Sequence, residues 1–511
     1  MAAFSRISNL RSPSTQACDL RRALAALILA AAPCGEAFAA DAVSALEFGA
    51  DPTGAKDSVQ AINAALESGA DVLVPAGSYT LTAGWISMTK PGQTLRCEAG
   101  ATMRVVRPGR NATPALIVMP SAVGARVEGC AIDHDGGQFL PVRPFYPLEW
   151  DDAISYAPGV GLRNNPKNKS KSNAGIGVAV LVMADKAELR GMNVTRGWDN
   201  DIMVARYRLD APGQSLGPYG VRIVDTRTSL AGSGAHSWEP NFFMGCGIDV
   251  GTGVDAVLQN NVDENSRIGF CVDEGGGASA HIIDSVSRHA RMTKEPFVKA
   301  NRMSSYYPAF GDPWHGSTIS GSGFFFGGST LSPINGQPMK DYKASVCTNC
   351  QAIEPEGVGV WLGRYSNGAR FEGLKVVRPG LEAIWALGGT HSFKDTTLQQ
   401  PNALKGSTGV WGRNYPWPQT PAIRAICANC LPYLRRQDAP RLNLSREQVQ
   451  TTLDFRGLTV SPGPRGPSYS YTFSTRSASQ TDFATIRAEG GSIAPGAKGL
   501  QSLEGSAGGA E

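Results

Sequence analysis

A four-residue pattern recurs along the chain after residue 175: a Gly or other short residue, an apolar residue, a variable residue and a second apolar residue. It occurs at 201–204, 247–250, 269–272, 323–326, 359–362 and 383–386. Two copies begin 22 residues apart, at Gly247 and Gly269, and two others 24 residues apart, at Gly359 and Ala383. These periods match one turn of a parallel β-helix, in which each turn places a strand on the one below it. The pattern therefore predicts a coil of short stacked strands.

Side chains alternate between the two faces of a strand, so the pattern also predicts which positions face the interior. The first apolar position is expected to point into the coil, and its members are Ile202, Ile248, Phe270, Phe324, Val360 and Ile384. The variable position is expected to point outward to solvent, as a column of Met203, Asp249, Cys271, Phe325, Trp361 and Trp385. For Trp361 and Trp385 two interpretations stay open: coverage by a long loop, or a platform on which sugar rings stack.

The N-terminal part of the chain carries a more specific motif. A Gly-rich turn at 47–54 precedes an apolar segment of helical period at 58–66, and a strand with Pro75-Ala76-Gly77-Ser78-Tyr79 follows. This order resembles the opening of the pectate-lyase-like proteins. The resemblance implies an all-β fold, a single-stranded right-handed parallel β-helix whose N-terminal end is closed by a capping helix at 58–68. It also implies a long carbohydrate chain as substrate, lying along the coil.

The first residues have the pattern of a secretory signal peptide. Arg21-Arg22 precede an apolar run at 23–32, and Ala37-Phe38-Ala39 matches a cleavage site. We expect a signal peptide at 1–39, a β-helix domain at 40–475 and a flexible Gly-rich tail at 476–511. The mature protein is then exported, periplasmic or extracellular, without membrane insertion. Loss of 1–39 removes four Arg and two acidic residues and takes the formal net charge from +4 to about +2, too small to indicate nucleic-acid binding.

Eight cysteines follow the signal segment: Cys97, Cys130, Cys246, Cys271, Cys347, Cys350, Cys427 and Cys430. An even number in an exported protein predicts disulfides, and the sequence leaves their pairing open. The two C-x-x-C pairs also suggest zinc, but their separation far exceeds the spacing of a compact zinc ribbon. We therefore expect no metal and no other cofactor, with calcium considered only if the protein is a lyase.

Acidic residues cluster where the repeated pattern begins. Hydrolysis of a glycosidic bond needs two carboxyl groups, whereas a lyase needs a base and a cation that neutralises a uronate carboxylate. The candidate catalytic residues are Asp199, Asp201, Glu239, Asp249, Asp273 and Glu274. On adjacent rungs, Asp201 and Asp249 would lie roughly 8 Å apart at the backbone. The alternative for each single acid is a solvated turn residue or a strand-end cap.

Aromatic and basic residues near these acids are candidates for holding the polymer. The candidate substrate-binding residues are Trp198, His236, Trp238, Arg267, Trp361, Arg364 and Trp385. Insertions at 137–175, 206–219, 231–245 and 291–320 are expected to wall a groove beside them; if the acids prove inert, the site is expected near His315 in the last of these. Asp133-His134-Asp135-Gly136 resembles the Asp-Gly turn that precedes the first long insertion in related proteins, and a plain turn is its simpler interpretation.

The catalytic motifs of polygalacturonases are not reproduced here. Trp198-Asp199-Asn200-Asp201 stands near the first of their motifs, and Gly-Asp-Asp and Gly-His-Gly are lacking, so no catalytic residue is carried over from that family. The sequence predicts an exported enzyme, a glycoside hydrolase or polysaccharide lyase, that cleaves a polysaccharide by hydrolysis or β-elimination. The alternatives are a non-catalytic carbohydrate-binding or adhesive β-helix and a polysaccharide epimerase. The expected partner is a poly- or oligosaccharide, and the oligomeric state is left open.

Overall fold

The computed structural model describes most of the repeating part of the chain. The described ranges are 42–108, 113–139, 155–157, 160–163, 177–205, 217–233, 245–272, 278–291, 321–327, 343–363, 366–386, 388–401, 403, 422–425, 451–461, 473–474 and 484–493. Within them the chain repeatedly passes through three columns of parallel strands, so that each turn adds one strand to every column. This is the right-handed parallel β-helix that the sequence predicts.

The chain passes through the first, second and third columns in that order on each turn. The first column contains Val43–Ser44, Val72–Val74, Thr94–Cys97, Arg126–Glu128, Glu188–Arg190, Arg222–Val224, Ala256–Gln259, Ala280–Ile283, Val346–Thr348, Arg370–Glu372 and Gly389–Lys394. The second contains Gly77–Leu81, Ala101–Val105, Ala131–Asp133, Asn193–Thr195, Arg227–Ser229, Val262–Glu264, Val286–Arg288, Gln351–Ile353, Lys375–Val377 and Thr397–Gln399. The long strands Thr451–Ser461 and Ala484–Ile493 pair with each other, and the former continues both columns.

The third column is a separate sheet of eleven strands. Its members are Ile86–Met88, Leu116–Val118, Val180–Val182, Ile202–Val204, Cys246–Val250, Ile268–Val272, Ser322–Phe326, Val360–Leu362, Ile384–Ala386, Ile423–Ala425 and Phe473–Ser474. Outside the columns, Ser155–Ala157 and Val160–Arg163 form an antiparallel pair, and Ala45–Phe48 and Gly136–Gln138 are 3₁₀ turns. The repeated sequence pattern marks this third column.

One α-helix, Val59–Glu67, covers the N-terminal end of the coil in the described part of the chain. Its apolar side, with Ile62 and Leu66, is buried in the main core. On the same helix, the Asn63 side chain donates to Trp85 O (2.9 Å) and accepts from Ser87 N (2.8 Å). It therefore satisfies backbone groups of the first third-column strand that have no preceding strand to pair with. The predicted capping helix is confirmed.

Packing explains why the first position of the repeated pattern is occupied by a small residue. A Cβ on Gly247 would lie 2.1 Å from Asp263 Oδ1, and one on Gly269 would lie 2.2 Å from Ser287 Oγ. These side chains come from second-column strands and face the interior, so the coil is too narrow there for a side chain on the opposing strand. Gly323 and Gly359 face Ala352 and Val376 in the same way. Elsewhere the interior contains aromatic stacks, with Phe371, Phe393 and Phe455 at centroid distances of 4.6 and 4.5 Å.

Three disulfides join cysteines of the described ranges: Cys97–Cys130, Cys246–Cys271 and Cys347–Cys350. The predicted disulfide state is confirmed for these six residues, and the first C-x-x-C pair is closed by its own bridge. Cys427 and Cys430 lie outside the described residues.

The parallel sheet continues beyond residue 475, where the sequence predicts the coil to end. Ala484–Ile493 pairs along its length with Thr451–Ser461, so part of the expected tail is a strand. The predicted signal segment 1–39 lies outside the described residues. No helix in the described ranges is long and apolar enough to cross a membrane.

Candidate functional site

The variable positions of the repeated pattern form one continuous column on the outer face of the third column. Met203, Asp249, Cys271, Phe325, Trp361 and Trp385 are aligned in register through six neighbouring strands, as the sequence predicts. Arg424 extends the column by one rung. However, none of these side chains is exposed, and the most accessible, Met203, is 8% exposed. The expectation that this face points to solvent is wrong, because it is covered.

Trp361 and Trp385 stack on each other rather than presenting open ring faces. Their ring centroids are 5.1 Å apart with an interplanar angle of 24°. The Arg424 guanidinium lies 5.6 Å from the Trp385 ring, and its Nε donates to Glu382 Oε1 at 2.7 Å. All four side chains are buried. As the structure stands, the two indoles form a packed stack and not an accessible sugar platform.

Glu382 and Arg424 are not among the site residues predicted from the sequence. A signal for the arginine was present, because Ala422-Ile423-Arg424-Ala425 continues the repeated pattern and places Arg424 at its variable position. Glu382 directly precedes the copy at 383–386. A buried ion pair of this kind requires close partners to offset the loss of hydration.

The acidic turn 197–201 bonds mainly to main-chain amides. Asp201 accepts from Gly197 N (2.7 Å) and Ser229 N (2.9 Å). Asn200 Oδ1 accepts from Cys246 N at 2.8 Å. Asp201 is fully buried, and burial raises its carboxyl pKa well above the usual value. The prediction that Asp201 points outward is therefore wrong: its carboxyl group fastens the turn to the neighbouring backbone.

Asp249 lies on the rung after the acidic turn, as predicted. Its Oδ2 accepts a hydrogen bond from Asn200 Nδ2 at 2.9 Å, and the side chain is 1% exposed. Asp249 is thus on the outer face of the third column but buried, contrary to the expected solvent exposure. Asn200 connects it to the turn that carries Asp199.

Asp199 is the one predicted catalytic acid in the described ranges that keeps partial exposure. Its Oδ1 accepts from Gly245 N at 3.3 Å. Arg267, 3% exposed, donates from Nε to Gly232 O at 3.1 Å. A Cβ on Gly232 or Gly245 would lie 2.6 or 3.1 Å from Arg267 Cδ. These two glycines therefore give the arginine room to lie across the strand starts beside Asp199.

Charges around Arg267 are of both signs. Burial, the largest effect, and the neighbouring Arg291 together lower the pKa of Arg267 to about 10, while Asp199 acts in the opposite direction. Arg291 occupies the following rung, because its amide bonds to Ser266 O (2.8 Å) while the Arg267 amide bonds to Ala231 O (3.4 Å). The structure thus brings together Asp199, a candidate catalytic residue, and Arg267, a candidate substrate-binding residue, with Arg291 near Arg267.

The remaining predicted site residues are distributed as follows. Trp198 is 3% exposed and packs in the main core, so it offers no surface for a sugar ring. Glu239, Asp273, Glu274, His236, Trp238 and Arg364 lie outside the described residues, as does His315. Within the described ranges, no group of three or more His, Cys, Asp or Glu side chains is arranged to hold a metal.

The three stacked columns, closed by the N-terminal helix, form a parallel β-helix. No family model matches the chain, and neither does any curated protein.

Among solved structures, the A-module of a mannuronan C-5 epimerase from Azotobacter vinelandii is 12% identical with a TM-score of 0.46, covering 89% of this chain and 95% of that one. An exopolygalacturonase from Thermotoga maritima is 12% identical with a TM-score of 0.47, covering 88% and 91%. The catalytic unit of an α-1,3-glucanase from Streptomyces thermodiastaticus is 13% identical with a TM-score of 0.39, covering 89% and 69%. These similarities concern the course of the backbone.

Proposed function

We propose that this protein is an exported enzyme that acts on an acidic polysaccharide bound across the starts of the third-column strands. The observation that carries the proposal is the arrangement of Asp199 and Arg267. A partly exposed carboxylate and a buried arginine lie beside each other, held by close contacts with Gly232 and Gly245. A polymer running along the coil passes one rung about every 4.8 Å and can thus contact several of them.

In this proposal Asp199 is the general base and the half-buried Arg291 neutralises the carboxylate of the sugar unit, while the buried Arg267 adds positive charge from beneath the surface. Abstraction of the proton next to a uronate carboxylate leaves negative charge on that group, which fixed cations stabilise. Two adjacent arginines favour this chemistry, and β-elimination or epimerisation follows from the same first step. For hydrolysis, Asp249 would have to supply the second carboxyl group, although its Oδ2 already accepts from Asn200.

A panel of purified polymers, uronate-containing and neutral, assayed with and without calcium, tests the proposal. Elimination gives an unsaturated product that absorbs in the near ultraviolet, hydrolysis gives new reducing ends without that absorbance, and epimerisation changes sugar composition without cleavage. We expect the Asp199→Asn variant to lose about 10²-fold or more in turnover on the responding polymer. Asp284→Asn is the matched control, because Asp284 is exposed in a turn between the first and second columns.

A loss in Asp199→Asn with a native melting temperature, against an unchanged Asp284→Asn, supports the proposed role. Wild-type turnover in Asp199→Asn, on a polymer that the protein does convert, contradicts it.

A non-catalytic carbohydrate-binding protein is the second candidate. It is favoured by the contacts of 199–201, since Asp199, Asn200 and Asp201 all accept from main-chain amides and thus have a structural role already. On this alternative, the protein binds a polymer without forming any product.

Export is part of the proposal. The described disulfides are typical of oxidising compartments, which agrees with the signal segment predicted at 1–39. Detection of the protein in the periplasm or medium, beginning near residue 40, is the direct check.

A further inference from the structure

The turn that carries Asp199 rests against the segment 133–139 of the preceding rung. We propose that His134, as a neutral ring with its hydrogen on Nε2, is a positioning residue that fixes the turn 197–201. That the turn matters for activity rests on the proposed function; its dependence on His134 does not.

The hydrogen-bond partners of His134 determine its tautomer. Nε2 lies 2.8 Å from Thr113 O, and a carbonyl oxygen can only accept, so Nε2 carries the hydrogen. Nδ1 then has a free lone pair and accepts from Trp198 N at 3.3 Å. The ring is completely buried and lies 4.9 Å from the Phe139 ring. His134 thus links the backbone of one rung to the residue directly before Asp199.

Other contacts between the same two segments hold the start of the turn. Arg196 Nε donates to Asp133 Oδ1 at 2.9 Å, and its Nη1 lies 3.1 Å from Asp135 Oδ1. Gly136 N donates to Arg196 O at 2.7 Å. A Cβ on Gly136 would lie 2.5 Å from Trp198 Cα, so the two backbones touch. The Asp-His-Asp-Gly motif at 133–136 therefore holds the acidic turn in place through side-chain and main-chain contacts.

Two charges lie near His134: Arg107 disfavours its protonation and Asp133 favours it. Burial is the largest effect, and it lowers the pKa of His134 to about 4. Above that pH, Nδ1 remains an acceptor. A protonated ring would place an N–H opposite the Trp198 N–H, and two facing donors cannot bond.

Two amide variants separate the two ring nitrogens. In His134→Asn the side-chain oxygen can occupy the position of Nδ1 and keep the bond from Trp198 N. In His134→Gln the amide reaches the position of Nε2 and leaves Trp198 N without its acceptor. His281→Gln is the control, because His281 is exposed on the first column and contacts Thr348 Oγ1 at 3.2 Å.

The measurement is hydrogen–deuterium exchange of the 196–201 backbone at pH 7, with polymer turnover assayed in parallel. We expect His134→Gln to raise exchange at the Trp198 amide by tenfold or more, and His134→Asn and His281→Gln to stay near the wild-type value. Equal exchange in all variants overturns the inference, and so does an equal increase in His134→Asn and His134→Gln. If exchange follows the expected pattern while turnover is unchanged, His134 still positions the turn, but the catalytic role of Asp199 fails.

The wild-type protein offers a check that needs no substitution. Long-range ¹H–¹⁵N spectra of histidine-labelled protein show directly which ring nitrogen carries the hydrogen. For His134, assigned by its loss in His134→Asn, we expect a protonated Nε2 and an unprotonated Nδ1. A hydrogen on Nδ1 overturns the inference.

Discussion

Asp263 is a buried carboxyl group inside the coil with no role in the proposed chemistry. Its Oδ1 accepts from Thr228 Oγ1 (2.9 Å) and Ser266 Oγ (2.6 Å), while Oδ2 has no hydrogen-bond partner among the described residues. Burial, the largest effect, and the neighbouring Glu264 raise the pKa of Asp263, the hydrogen bonds from Ser266 and Thr228 lower it, and the result is about 8. Burial therefore outweighs the two donors, and the acid form is the one that this site favours.

The raised pKa of Asp263 makes the folded protein less stable as the pH rises. The pKa of Asp263 is about 8 when folded and 3.8 in the reference state, so its contribution is fully present below pH 4 and is lost as the pH rises through 8. Over that window the free energy of unfolding falls by about 1.4 kcal/mol per pH unit from this group. Asp263→Asn keeps an oxygen for the two hydroxyl groups and carries no charge. We expect the variant to lose this slope and to be more stable than wild type at pH 8.

Chemical denaturation of wild type, Asp263→Asn and Asp284→Asn between pH 4 and 9 is the measurement. The exposed Asp284 serves as control, and its variant should follow the wild-type curve. Parallel curves for wild type and Asp263→Asn would show that Asp263 is ionised in the folded protein.

At the scale of one element, the first residue of the repeated pattern has to be small because the side chains of the second column lie close to it. Gly247→Ala would place a methyl group 2.1 Å from Asp263 Oδ1 and 2.5 Å from Thr228 Oγ1. Relief of this overlap requires displaced side chains or backbone, and we expect a loss of about 1–3 kcal/mol in the free energy of unfolding. Gly137→Ala is the control, because a Cβ there meets nothing within 4 Å. Denaturant midpoints decide the matter: equal stability of the two variants contradicts the packing argument.

In the third column, the strands follow the predicted alternation of side chains, but their outer face is not exposed to solvent as predicted. Alternation correctly assigns Trp361 and Trp385 to the face opposite Val360 and Ile384, since the register places like positions side by side. It says nothing about what lies above that face. Every residue of the strands Val360–Leu362, Ile384–Ala386 and Ile423–Ala425 is buried, on both faces of the sheet, and hence these strands have no solvent-exposed face.

At the scale of the whole molecule, the disulfides restrain segments of very different length. Cys97–Cys130 spans 33 residues and joins neighbouring rungs, whereas Cys347–Cys350 spans three. In the chain-entropy model, removal of the longer bridge costs about 4 kcal/mol and removal of the shorter one about 2 kcal/mol. We expect the Cys97→Ala/Cys130→Ala double variant to melt below the Cys347→Ala/Cys350→Ala double variant. Calorimetry of both against the oxidised wild type measures the difference, and the reverse order contradicts the expectation.

The sequence by itself determined the repeating fold. The 22- and 24-residue spacings and the alternation of apolar positions are local features, and a solenoid is built from contacts between neighbouring repeats. The register of the third column could thus be predicted without knowledge of distant contacts, and the capping helix was implied by the family resemblance of residues 47–81. The pairing of the cysteines could not, because it depends on how the rungs stack.

The candidate site was decided by tertiary structure. Asp199, Asp201 and Asp249 look alike in the sequence, yet Asp201 accepts two main-chain amides, Asp249 is held by Asn200, and Asp199 remains partly exposed beside Arg267. The alternation of side chains along a strand determines on which face of the sheet each one lies. The burial of that face, and the groups from other rungs that bond to it or place charges beside it, depend on chain segments many residues away. Only the assembled coil therefore separates the buried, bonded carboxyl groups of Asp201 and Asp249 from the partly exposed one of Asp199.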